Sequence, residues 1–327
     1  MSDIAAPALR LPAALAAQLR ASPWRFVVTG ASGWLGMATL DLLHGALGAQ
    51  AAQRVLAFGS AARELRLRDG WRVQQQPLAA LNELPAAPTL LLHYAFLTRD
   101  RVAGMPLGDY VAANRALSAQ VAQACARLGV GGALVLSSGA VYAADGTPAH
   151  DLQANPYGVL KLEDEARFAH WAEAAGATLV LPRLFNLSGP YINKLDTYAL
   201  ATLIGAALAG EPMRIRAAHA VVRSYTAVHD LLTLALRRLA AGGGGVLRFD
   251  TAGEREVEIG ELAEEVRRVL GAAVAIERPP RDVARVDRYV GDGAAYAALL
   301  REAGIAPQTL AQQIASTADD LSRRGSR

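Results

Sequence analysis

Residues 26–36 read FVVTGASGWLG, in which a short apolar run leads directly into three glycines spaced three residues apart. The apolar run contains β-branched and aromatic residues, as buried strands do, and residues 35–44 carry apolar side chains at helical spacing. The pattern predicts a strand, a tight turn and a helix in immediate succession. Within it, Gly30 would make the turn, Gly33 would let the backbone approach a ligand and Gly36 would let the helix pack closely.

The helix expected after the glycines would direct its free N–H groups and the positive end of its dipole at the turn, which suits an anion. Because the motif follows a strand near the start of the chain, it predicts that the turn binds the pyrophosphate of a dinucleotide. The alternative is an ordinary strand-to-helix turn without a ligand. The residues expected to contact the dinucleotide here are Gly30, Ser32, Gly33, Trp34, Leu35 and Gly36.

The choice between NAD and NADP depends on the end of the second expected strand, where a carboxylate would bind the adenosine ribose of NAD. The chain has no acidic residue between Ala57 and Arg63 and instead offers Ser60 and Arg63, a hydroxyl and a guanidinium suited to a 2′-phosphate. We therefore expect NADP to be favoured over NAD. The alternative is that Arg63 lies on a solvated surface and binds no phosphate.

Farther along the chain, short apolar runs alternate with helical patterns, which is typical of βαβ units and a parallel sheet. Most of the runs lack polar alternation, as expected for strands that helices cover on both faces. The expected fold class is α/β, a Rossmann doubly wound parallel sheet with a smaller C-terminal α/β substrate lobe. The expected strands are 26–29, 54–58, 89–94, 133–137, 178–182 and 246–249, and the expected helices include 9–19, 35–44, 110–128 and 158–174.

The domain boundaries are expected where this rhythm changes, after about residue 187, because prolines and glycines then divide the chain into shorter pieces. Residues 1–187 would form an N-terminal extension and the dinucleotide-binding domain, with residues 221–250 returning to it. Residues 188–220 and 251–327 would form the substrate-binding lobe.

The composition of the chain excludes several classes of protein. Of its 327 residues, 52% are hydrophobic and 19% are charged, which is too apolar for a disordered chain. The net charge of +3 does not indicate nucleic acid as a partner. Cys125 is the one cysteine, which excludes an intramolecular disulfide and favours a reducing, cytoplasmic location. The most apolar long window, 198–209, is shorter than the ~20 residues of a membrane span, so no membrane association is expected.

Three polar residues form the expected catalytic group. Ser138 follows the strand expected at 133–137, at the edge where open α/β sheets bind their ligands, and would orient a substrate oxygen. Tyr157 and Lys161 are four residues apart in an expected helix, so the ammonium would lie on the same face as the phenol and lower its pKa. A tyrosine–lysine pair at this spacing is more often a surface pair. Its position after the glycine turn and the serine favours proton transfer by Tyr157.

Several segments in this order resemble the extended short-chain dehydrogenase/reductase superfamily, especially its NAD(P)-dependent nucleotide-sugar epimerase, dehydratase and reductase branch. The matching segments are 29–36, His93-Tyr94-Ala95, Asn114, 137–142, Tyr157 with Lys161, Pro182 to Asn186, Gly189-Pro190, Arg223-Ser224-Tyr225 and Val228-His229-Asp230. The resemblance implies that Tyr157 is the general acid/base, that Lys161 also holds the nicotinamide ribose and that Asn114 supports the site. It further implies that Tyr94, Ala95 and Pro182 lie against the cofactor.

The resemblance also implies a substrate and a partner. The second lobe would bind the nucleoside diphosphate of an activated sugar through Asn186 and Arg223, and a planar guanidinium suits a diphosphate. The alternatives are that Asn186 caps a turn and that Arg223 pairs with an acidic residue. A homodimer built from the helices that contain Asn114 and Tyr157 is implied as well.

Departures from the family's motifs narrow the expected reaction. Gly139 and Ala140 replace the acidic pair that follows the serine position in the dehydratases, which disfavours dehydration. Gly139 and Tyr191 replace the cysteine and histidine of the bifunctional epimerase/reductases, which disfavours epimerisation through an enolate. We therefore expect hydride transfer with Tyr157 as acid/base, in a keto-sugar reductase or a C4 epimerase, and the NADP preference favours the reductase. The alternatives are a reductase of a non-sugar carbonyl and a non-catalytic NADP-binding module.

Two histidines are expected to have structural roles. His93 would line the cofactor cleft, and His229 beside Asp230 falls in a packing segment of the family. No group of His, Asp and Glu residues in the sequence has metal-ligand spacing, so no metal site is expected.

Overall fold

The structure of the protein is a computed structural model that describes residues 4–280 and 282–325. Its first elements, in chain order, are α1 (Ala13–Ala21), β1 (Arg25–Thr29), α2 (Trp34–Leu47), α3 (Ala51–Arg54), β2 (Val55–Gly59), β3 (Arg63–Arg66), β4 (Arg72–Pro77), β5 (Thr89–His93), α4 (Leu107–Leu128), β6 (Val130–Val135), β7 (Ser137–Ser138), α5 (Pro156–Ala175) and β8 (Thr178–Leu184). Short 3-10 turns occupy Gly48–Gln50, Leu78–Glu83, Arg99–Gly104 and Gly139–Val141.

The later elements are shorter. They are β9 (Asn186–Ser188), α6 (Ala199–Ala209), β10 (Met213–Arg214), β11 (His219–Arg223), β12 (Tyr225–Ala227), α7 (Val228–Ala241), β13 (Gly245–Asp250), β14 (Val257–Glu258), α8 (Ile259–Leu270), β15 (Ile276–Glu277), β16 (Asp282–Tyr289), α9 (Gly293–Glu302) and α10 (Leu310–Gly325).

Contacts divide the chain into two compact units. The first comprises Arg10–Leu184 and Ala235–Phe249, and the described residues of the second are 4–9, 185–234 and 250–325. The functional division into a cofactor domain and a substrate lobe, with the boundaries given above, stays a prediction.

One sheet forms the frame of the first unit. Its strand order is β13–β8–β6–β5–β1–β2–β4–β3, and β7 pairs with β8. β1 pairs in parallel with both β2 and β5, and the pairs β5–β6 and β6–β8 are parallel as well. The strand order therefore reverses beside β1, as in doubly wound sheets, and the predicted Rossmann fold is confirmed. In such a sheet the ligand site lies outside the carboxyl ends of the strands at this reversal.

Apolar packing holds the central strands against α4 and α5. Phe26, Val27 and Val28 in β1 are fully buried, as their lack of polar alternation predicted. The surrounding core includes Val121 and Leu128 from α4, Phe168 and Ala172 from α5, and Leu91, Ala133 and Leu179 from the strands. This packing fixes α5, which carries Tyr157 and Lys161, on the sheet.

The outer edge of the sheet departs from a simple alternation of strands and helices. After β2 the chain forms an antiparallel hairpin of β3 and β4, in which Arg63 lies opposite Gln75, and β4 then pairs in parallel with β2. The sequence analysis did not predict β3 or β4. Their sequences, RELR and RVQQQP, bury only alternate residues and contain no apolar run.

The described residues of the second unit form small sheets and several helices, of which α6, α8 and α10 pack together, as expected for a smaller α/β lobe. In the described residues, β11 lies between β14 and β16, β10 pairs with β15, and β9 pairs with β12. The core between α6, α8 and α10 includes Leu200, Ile204, Leu262, Val266, Leu310 and Ile314. None of the described helices combines the length and the apolar character needed to span a bilayer.

Candidate active site

The glycine turn between β1 and α2 is formed by backbone segments in close contact. Gly30 has a φ of +67°, and a Cβ there would lie 2.6 Å from the amide nitrogen of Ala95. A Cβ at Gly36 would overlap the carbonyl oxygen of Gly30 and lie 2.6 Å from that of Ala31. Backbone atoms cannot move aside as a flexible side chain can. A side chain at either position would therefore displace the turn.

The start of α2 faces this turn. Gly33 occupies the N-cap position and α2 begins at Trp34. The amide of Gly33 donates to the carbonyl oxygen of Gly30 over 2.9 Å, and Ser32 is half-buried beside it. Helix geometry leaves the N–H groups of the first turn outside the intrahelical ladder, so they form a concave set of donors at the positive end of the helix dipole. This cradle fits a pyrophosphate.

Ser60 and Arg63 are both exposed beyond the end of β2. The path of the chain between them is set by Gln75, which lies against Gly59 and donates through Nε2 to the carbonyl oxygen of Ala61 over 2.7 Å. Arg63 is the first residue of the edge strand β3 rather than part of a helix. The role of Ser60 and Arg63 at a 2′-phosphate stays a prediction.

Hydrogen bonds connect the end of β5 to the segment that carries the glycine turn. Nδ1 of His93 lies 2.6 Å from Oγ1 of Thr29, and the hydroxyl of Tyr94 lies 2.7 Å from Oγ1 of Thr39. Burial, with a smaller effect of the Lys161 charge, lowers the pKa of His93 to about 3. Burial also raises the pKa of Tyr94. Both rings are therefore neutral near pH 7 and act as parts of the framework.

Ala140 connects the turn that follows Ser138 to the start of the helix that carries Tyr157. The amide of Ala140 donates to Oγ of Ser138 over 3.2 Å, and Nδ2 of Asn155 donates to the carbonyl oxygen of Ala140 over 2.7 Å. Asn155 also caps α5, since its Oδ1 accepts from the amide of Gly158 over 2.9 Å. A Cβ at Gly158 would overlap the carbonyl oxygen of Ala140. Glycine therefore lets the first turn of α5, with Tyr157, approach the turn that follows Ser138.

A phenylalanine that the sequence analysis did not single out lies against both Tyr157 and Lys161. The rings of Phe96 and Tyr157 meet edge to face, with centroids 5.7 Å apart and planes at 76°. Nζ of Lys161 lies 3.6 Å from the centroid of the Phe96 ring. The Phe96 ring therefore contacts both Tyr157 and Lys161, whose roles in the reaction stay a prediction.

The ammonium of Lys161 is buried, and the residue is only 5% exposed. Its Nζ donates to the carbonyl oxygen of Leu136 over 2.9 Å and lies 3.5 Å from Oδ2 of Asp164. Burial lowers the pKa of Lys161, while the nearby carboxylates of Asp164 and Glu165 partly oppose that effect. Leu136 lies two residues before Ser138, so the lysine also supports the strand end that carries the serine.

Asn114 holds the loop that follows β5. Its Oδ1 accepts from the amide of Leu97 over 2.8 Å, and its Nδ2 donates to the carbonyl oxygen of Tyr110 over 3.2 Å. The hydroxyl of Tyr110 donates to the carbonyl oxygen of Leu97 over 2.8 Å. Asn114 is therefore placed to support the site through the residue next to Phe96, and its role in the reaction stays a prediction.

A buried carboxylate behind Ser138 connects α5 to three strands. Oγ of Ser137 donates to Oε1 of Glu165 over 2.5 Å, and the Arg183 guanidinium donates to both Glu165 oxygens over 2.8 Å. Nε of Arg248, in β13, lies 2.8 Å from Oε2. Burial raises the pKa of Glu165, but the hydrogen bonds from Arg183 and Ser137 outweigh it, and the net shift is downward. Glu165 is thus an ionised anchor for the strand end.

The two expected substrate residues lie in the second unit and have protein partners. Nδ2 of Asn186 donates to the carbonyl oxygen of Tyr289 over 3.2 Å. Arg223 forms a two-point pair with Asp287, with distances of 2.8 Å and 3.3 Å, and donates to the carbonyl oxygen of Val222 over 2.9 Å. Arg223 therefore makes the acidic pair that was the alternative from the sequence. Its contact with a diphosphate stays a prediction.

The His229–Asp230 pair is part of the packing of the second unit. Nδ1 of His229 lies 2.9 Å from Oδ1 of Asp230, whose Oδ2 accepts from the amide of Gln308 over 2.7 Å. Across residues 4–280 and 282–325, no group of three or more His, Cys, Asp or Glu side chains could hold a metal ion.

Sequence reasoning missed three residues of this site, namely Phe96, Asn155 and Glu165. Asn155 could have been found, because an asparagine before Pro156 at a helix start is a common capping pattern. Glu165 is four residues after Lys161 and shares its helix face, which is a weaker indication. Phe96 has no local indication. Pro182, which was expected at the cofactor, is buried in β8.

Comparison with known proteins identifies a family to which the sequence matches and solved structures with a similar fold. The sequence model of the NAD dependent epimerase/dehydratase family matches residues 26–247. UDP-glucuronic acid decarboxylase 3 of Arabidopsis thaliana is 26% identical over 129 residues, a match that spans 38% of this chain and only 37% of that protein's length.

Two solved structures illustrate the likeness in fold. UDP-N-acetylglucosamine 4-epimerase of Methanobrevibacter ruminantium M1, in complex with UDP-N-acetylmuramic acid, has a TM-score of 0.69 and 18% identity, with 92% of this chain and 98% of that one covered. UDP-glucuronic acid 4-epimerase of Bacillus cereus, in complex with UDP-glucuronic acid and NAD, has a TM-score of 0.66 and 18% identity, with 92% and 99% covered. At this identity the likeness establishes the fold.

Proposed function

The chain belongs to the NAD dependent epimerase/dehydratase family, and from this membership we propose that it is an NAD(P)-dependent oxidoreductase that acts on a nucleotide-activated sugar. The reaction is hydride transfer with Tyr157 as acid/base, either reduction of a keto-sugar or C4 epimerisation. When bound in the glycine turn, a nicotinamide dinucleotide supplies the hydride acceptor or donor.

The observation that carries the proposal is that Ala140 holds together the segments of Ser138 and Tyr157: its amide donates to Ser138, and its carbonyl oxygen accepts from Asn155, the cap of the helix that carries Tyr157. With the two segments held together in this way, we expect the hydroxyl of Ser138 and the phenol of Tyr157 to reach a single substrate oxygen. Ser138 donates a hydrogen bond to that oxygen, and Tyr157 exchanges a proton with it as the carbon gains or loses hydride.

Lys161 supports this proton transfer by its charge. A cation on the same helix face stabilises the phenolate form of Tyr157 and so lowers the pKa of the phenol. The carbonyl oxygen of Leu136 and the carboxylate of Asp164 hold the ammonium in place, so its field acts from a fixed position. Electrostatic help of this kind is strongest where water is excluded, and Lys161 is buried.

Replacing Tyr157 by phenylalanine tests the proposal. The Tyr157→Phe variant keeps the ring against Phe96 but cannot exchange a proton, so we expect turnover to fall by about 10²- to 10⁴-fold. The assay follows reduced nicotinamide with a panel of UDP-, GDP-, dTDP- and CDP-sugars, and sugar interconversion by chromatography. Tyr198→Phe, at an exposed tyrosine outside the proposed catalytic group, removes a hydroxyl in the same way and should lose far less activity than Tyr157→Phe. Equal turnover by wild type and Tyr157→Phe would refute the proposed mechanism. Dinucleotide binding without turnover of any substrate would support a non-catalytic binding module.

A specific observation supports a second candidate, a reductase of a non-sugar carbonyl. Arg223, the residue expected at the diphosphate, is engaged by Asp287 through both of its terminal nitrogens. If no diphosphate binds there, the Arg223→Ala variant will have unchanged KM for its substrate. A rise in KM of about tenfold or more, the size of one lost charged contact, would favour the nucleotide sugar.

The proposal includes a cofactor preference, an assembly and a location. Ser60 and Arg63 support NADP over NAD, although the Bacillus cereus structure contains NAD.

The proposed homodimer would use the surface formed by α4 and α5. The exposed pair of Arg115 and Glu163, 2.6 Å apart, connects the two helices on that surface. Size-exclusion chromatography with light scattering tests whether the protein is a dimer. A cytoplasmic location is supported by the single cysteine, Cys125, which is buried.

A further inference from the structure

The Phe96 ring covers the ammonium of Lys161. Nζ lies 3.6 Å from the ring centroid, which places the cation directly on the π face. The same ring meets Tyr157 edge to face. Phe96 is therefore in contact with both residues on which proton transfer depends.

The contacts of Lys161 account for all the donors of its ammonium. An ammonium has three N–H groups and no acceptor. One is directed at the carbonyl oxygen of Leu136, one at the carboxylate of Asp164, and the remaining side meets the Phe96 ring. A hydrogen bond from Lys161 to a ligand therefore requires one of these three contacts to open.

The Phe96 contact is the one most easily opened. Leu136 contributes a backbone carbonyl within the sheet frame, and Asp164 is a carboxylate that is itself 3% exposed and would be left as an unpaired buried charge. Phe96 is half-buried and has no polar group in its side chain, so turning its ring breaks no hydrogen bond or ion pair. Its backbone position is fixed, because the next residue, Leu97, is held by Asn114, so only the side chain can turn.

We propose that Phe96 controls access to Lys161: its ring withholds the ammonium from the dinucleotide and must turn aside before Lys161 can donate to a ribose hydroxyl. This inference rests on the proposed function. Phe96 is a positioning residue, since it acts through Lys161. Binding of the dinucleotide is weakened by the displacement of the ring, and removing the ring strengthens it.

Nuclear magnetic resonance of lysine tests the contact and its displacement directly. The chain has two lysines, Lys161 and Lys194, so lysine labelled with ¹³C at Cε gives two signals, and Lys194→Arg assigns them. We expect the ε protons of Lys161 to be shifted upfield by the Phe96 ring current in the cofactor-free protein. The Phe96→Leu variant should lose this shift, and saturating NADP or NAD should abolish it in wild type. A Lys161 signal that stays upfield in the saturated complex would overturn the proposal.

A double-mutant cycle on dinucleotide affinity provides a second test. We expect Phe96→Ala and Phe96→Leu to lower the Kd for NADP or NAD by about tenfold, the size of one charged hydrogen bond formed without displacing the ring. In the Lys161→Met background the same substitutions should change Kd less than about twofold, because no ammonium remains to be uncovered. Fluorescence titration measures each Kd, and circular dichroism checks each variant for folding.

The outcomes separate this inference from the proposed function. If wild type binds no dinucleotide, both are wrong. If wild type binds a dinucleotide but the Phe96 variants bind it equally or more weakly, only the inference about Phe96 is wrong. A gain in affinity that persists in the Lys161→Met background would also overturn it, since the ring would then act by its bulk alone. Should Phe96→Ala fail to fold, Phe96→Leu keeps most of the packing and decides the question.

Discussion

The glycine turn and the surroundings of Lys161 are both tightly packed parts of one unit, but they are built differently. The glycines of the turn belong to one continuous segment, 29–36, and their close contacts are with backbone atoms of that segment and of Tyr94 and Ala95. The ammonium of Lys161 is surrounded by Asp164 of its own helix and by Phe96 and Leu136, which come from the segments that follow β5 and β6. A backbone contact restricts which residue type fits, whereas a side-chain cluster depends on the whole fold. The first kind of site can be read from a short motif and the second cannot.

The largest effect is expected where the side-chain cluster contains a buried charge. Glu165→Ala removes the partner of Arg183 and Ser137 and leaves a guanidinium in a mostly buried site, so we expect the free energy of unfolding to fall by about 3 kcal/mol or more. The matched control is Glu163→Ala, on the same helix, which breaks the exposed pair with Arg115 and should cost less than about 1 kcal/mol. Urea unfolding measures both. Equal losses in the two variants would mean that the cluster behind Ser138 is no stronger than a surface pair.

The same carboxylate makes stability depend on pH in a defined direction. The folded protein holds the pKa of Glu165 below its ordinary value, because hydrogen bonds from Arg183 and Ser137 outweigh the effect of burial. Its contribution is therefore complete above the unfolded pKa of about 4.3 and is lost as the pH falls through the lower, folded pKa. Unfolding experiments between about pH 7 and pH 3 should show a steeper loss of stability in wild type than in Glu165→Gln. Parallel curves for the two proteins would contradict this assignment.

The next largest effect is expected in the glycine turn. Gly36→Ala places a Cβ in overlap with the carbonyl oxygen of Gly30, so the turn must shift, and we expect a loss of about 1–3 kcal/mol in stability together with weaker dinucleotide binding. Gly45→Ala is the matched control in the same helix, where the added Cβ would meet no described atom within 4 Å. It should stabilise the protein by about 0.5–1 kcal/mol, because alanine is the better helix former. Thermal unfolding with and without NADP compares the two, and a harmless Gly36→Ala would contradict the close contact.

The difference between local backbone motifs and packed side-chain clusters explains which parts of the fold the sequence predicts. The central strands were predicted because Phe26, Val27 and Val28 belong to an unbroken apolar run, which indicates burial on both faces. The glycine turn was predicted because three glycines at this spacing, directly after an apolar run, are typical of a turn between a strand and a helix. The hairpin of β3 and β4 was missed, since its register is set by pairing with β2 and not by an apolar pattern of its own.

The candidate site was predicted in part for the same reason. Tyr157 and Lys161 share a helix face by spacing alone, which is local information. Asp164 follows Lys161 by three residues in the same helix, which is local information as well. The ring of Phe96 is instead brought to Lys161 by the packing of α5 on the sheet. The contact of Phe96 with Lys161 depends on that packing, so no motif in the sequence indicates it.

The smallest effect is expected at Arg63, where a prediction made only from local sequence can be tested on the structure. Arg63 and Arg66 are both exposed on the edge strand β3, but only Arg63 lies directly after the end of β2, where the ribose of a dinucleotide is expected. Arg63→Glu should therefore weaken NADP binding by about fivefold relative to NAD, the size of one exposed charge contact, whereas Arg66→Glu should leave the ratio unchanged. Titrations with both dinucleotides measure the two ratios. An equal change in both variants would show that the strand acts through its general charge. No change in either would mean that the missing acidic residue after β2 does not reveal the cofactor. The local sequence would then be as uninformative there as it is for the contact of Phe96 with Lys161.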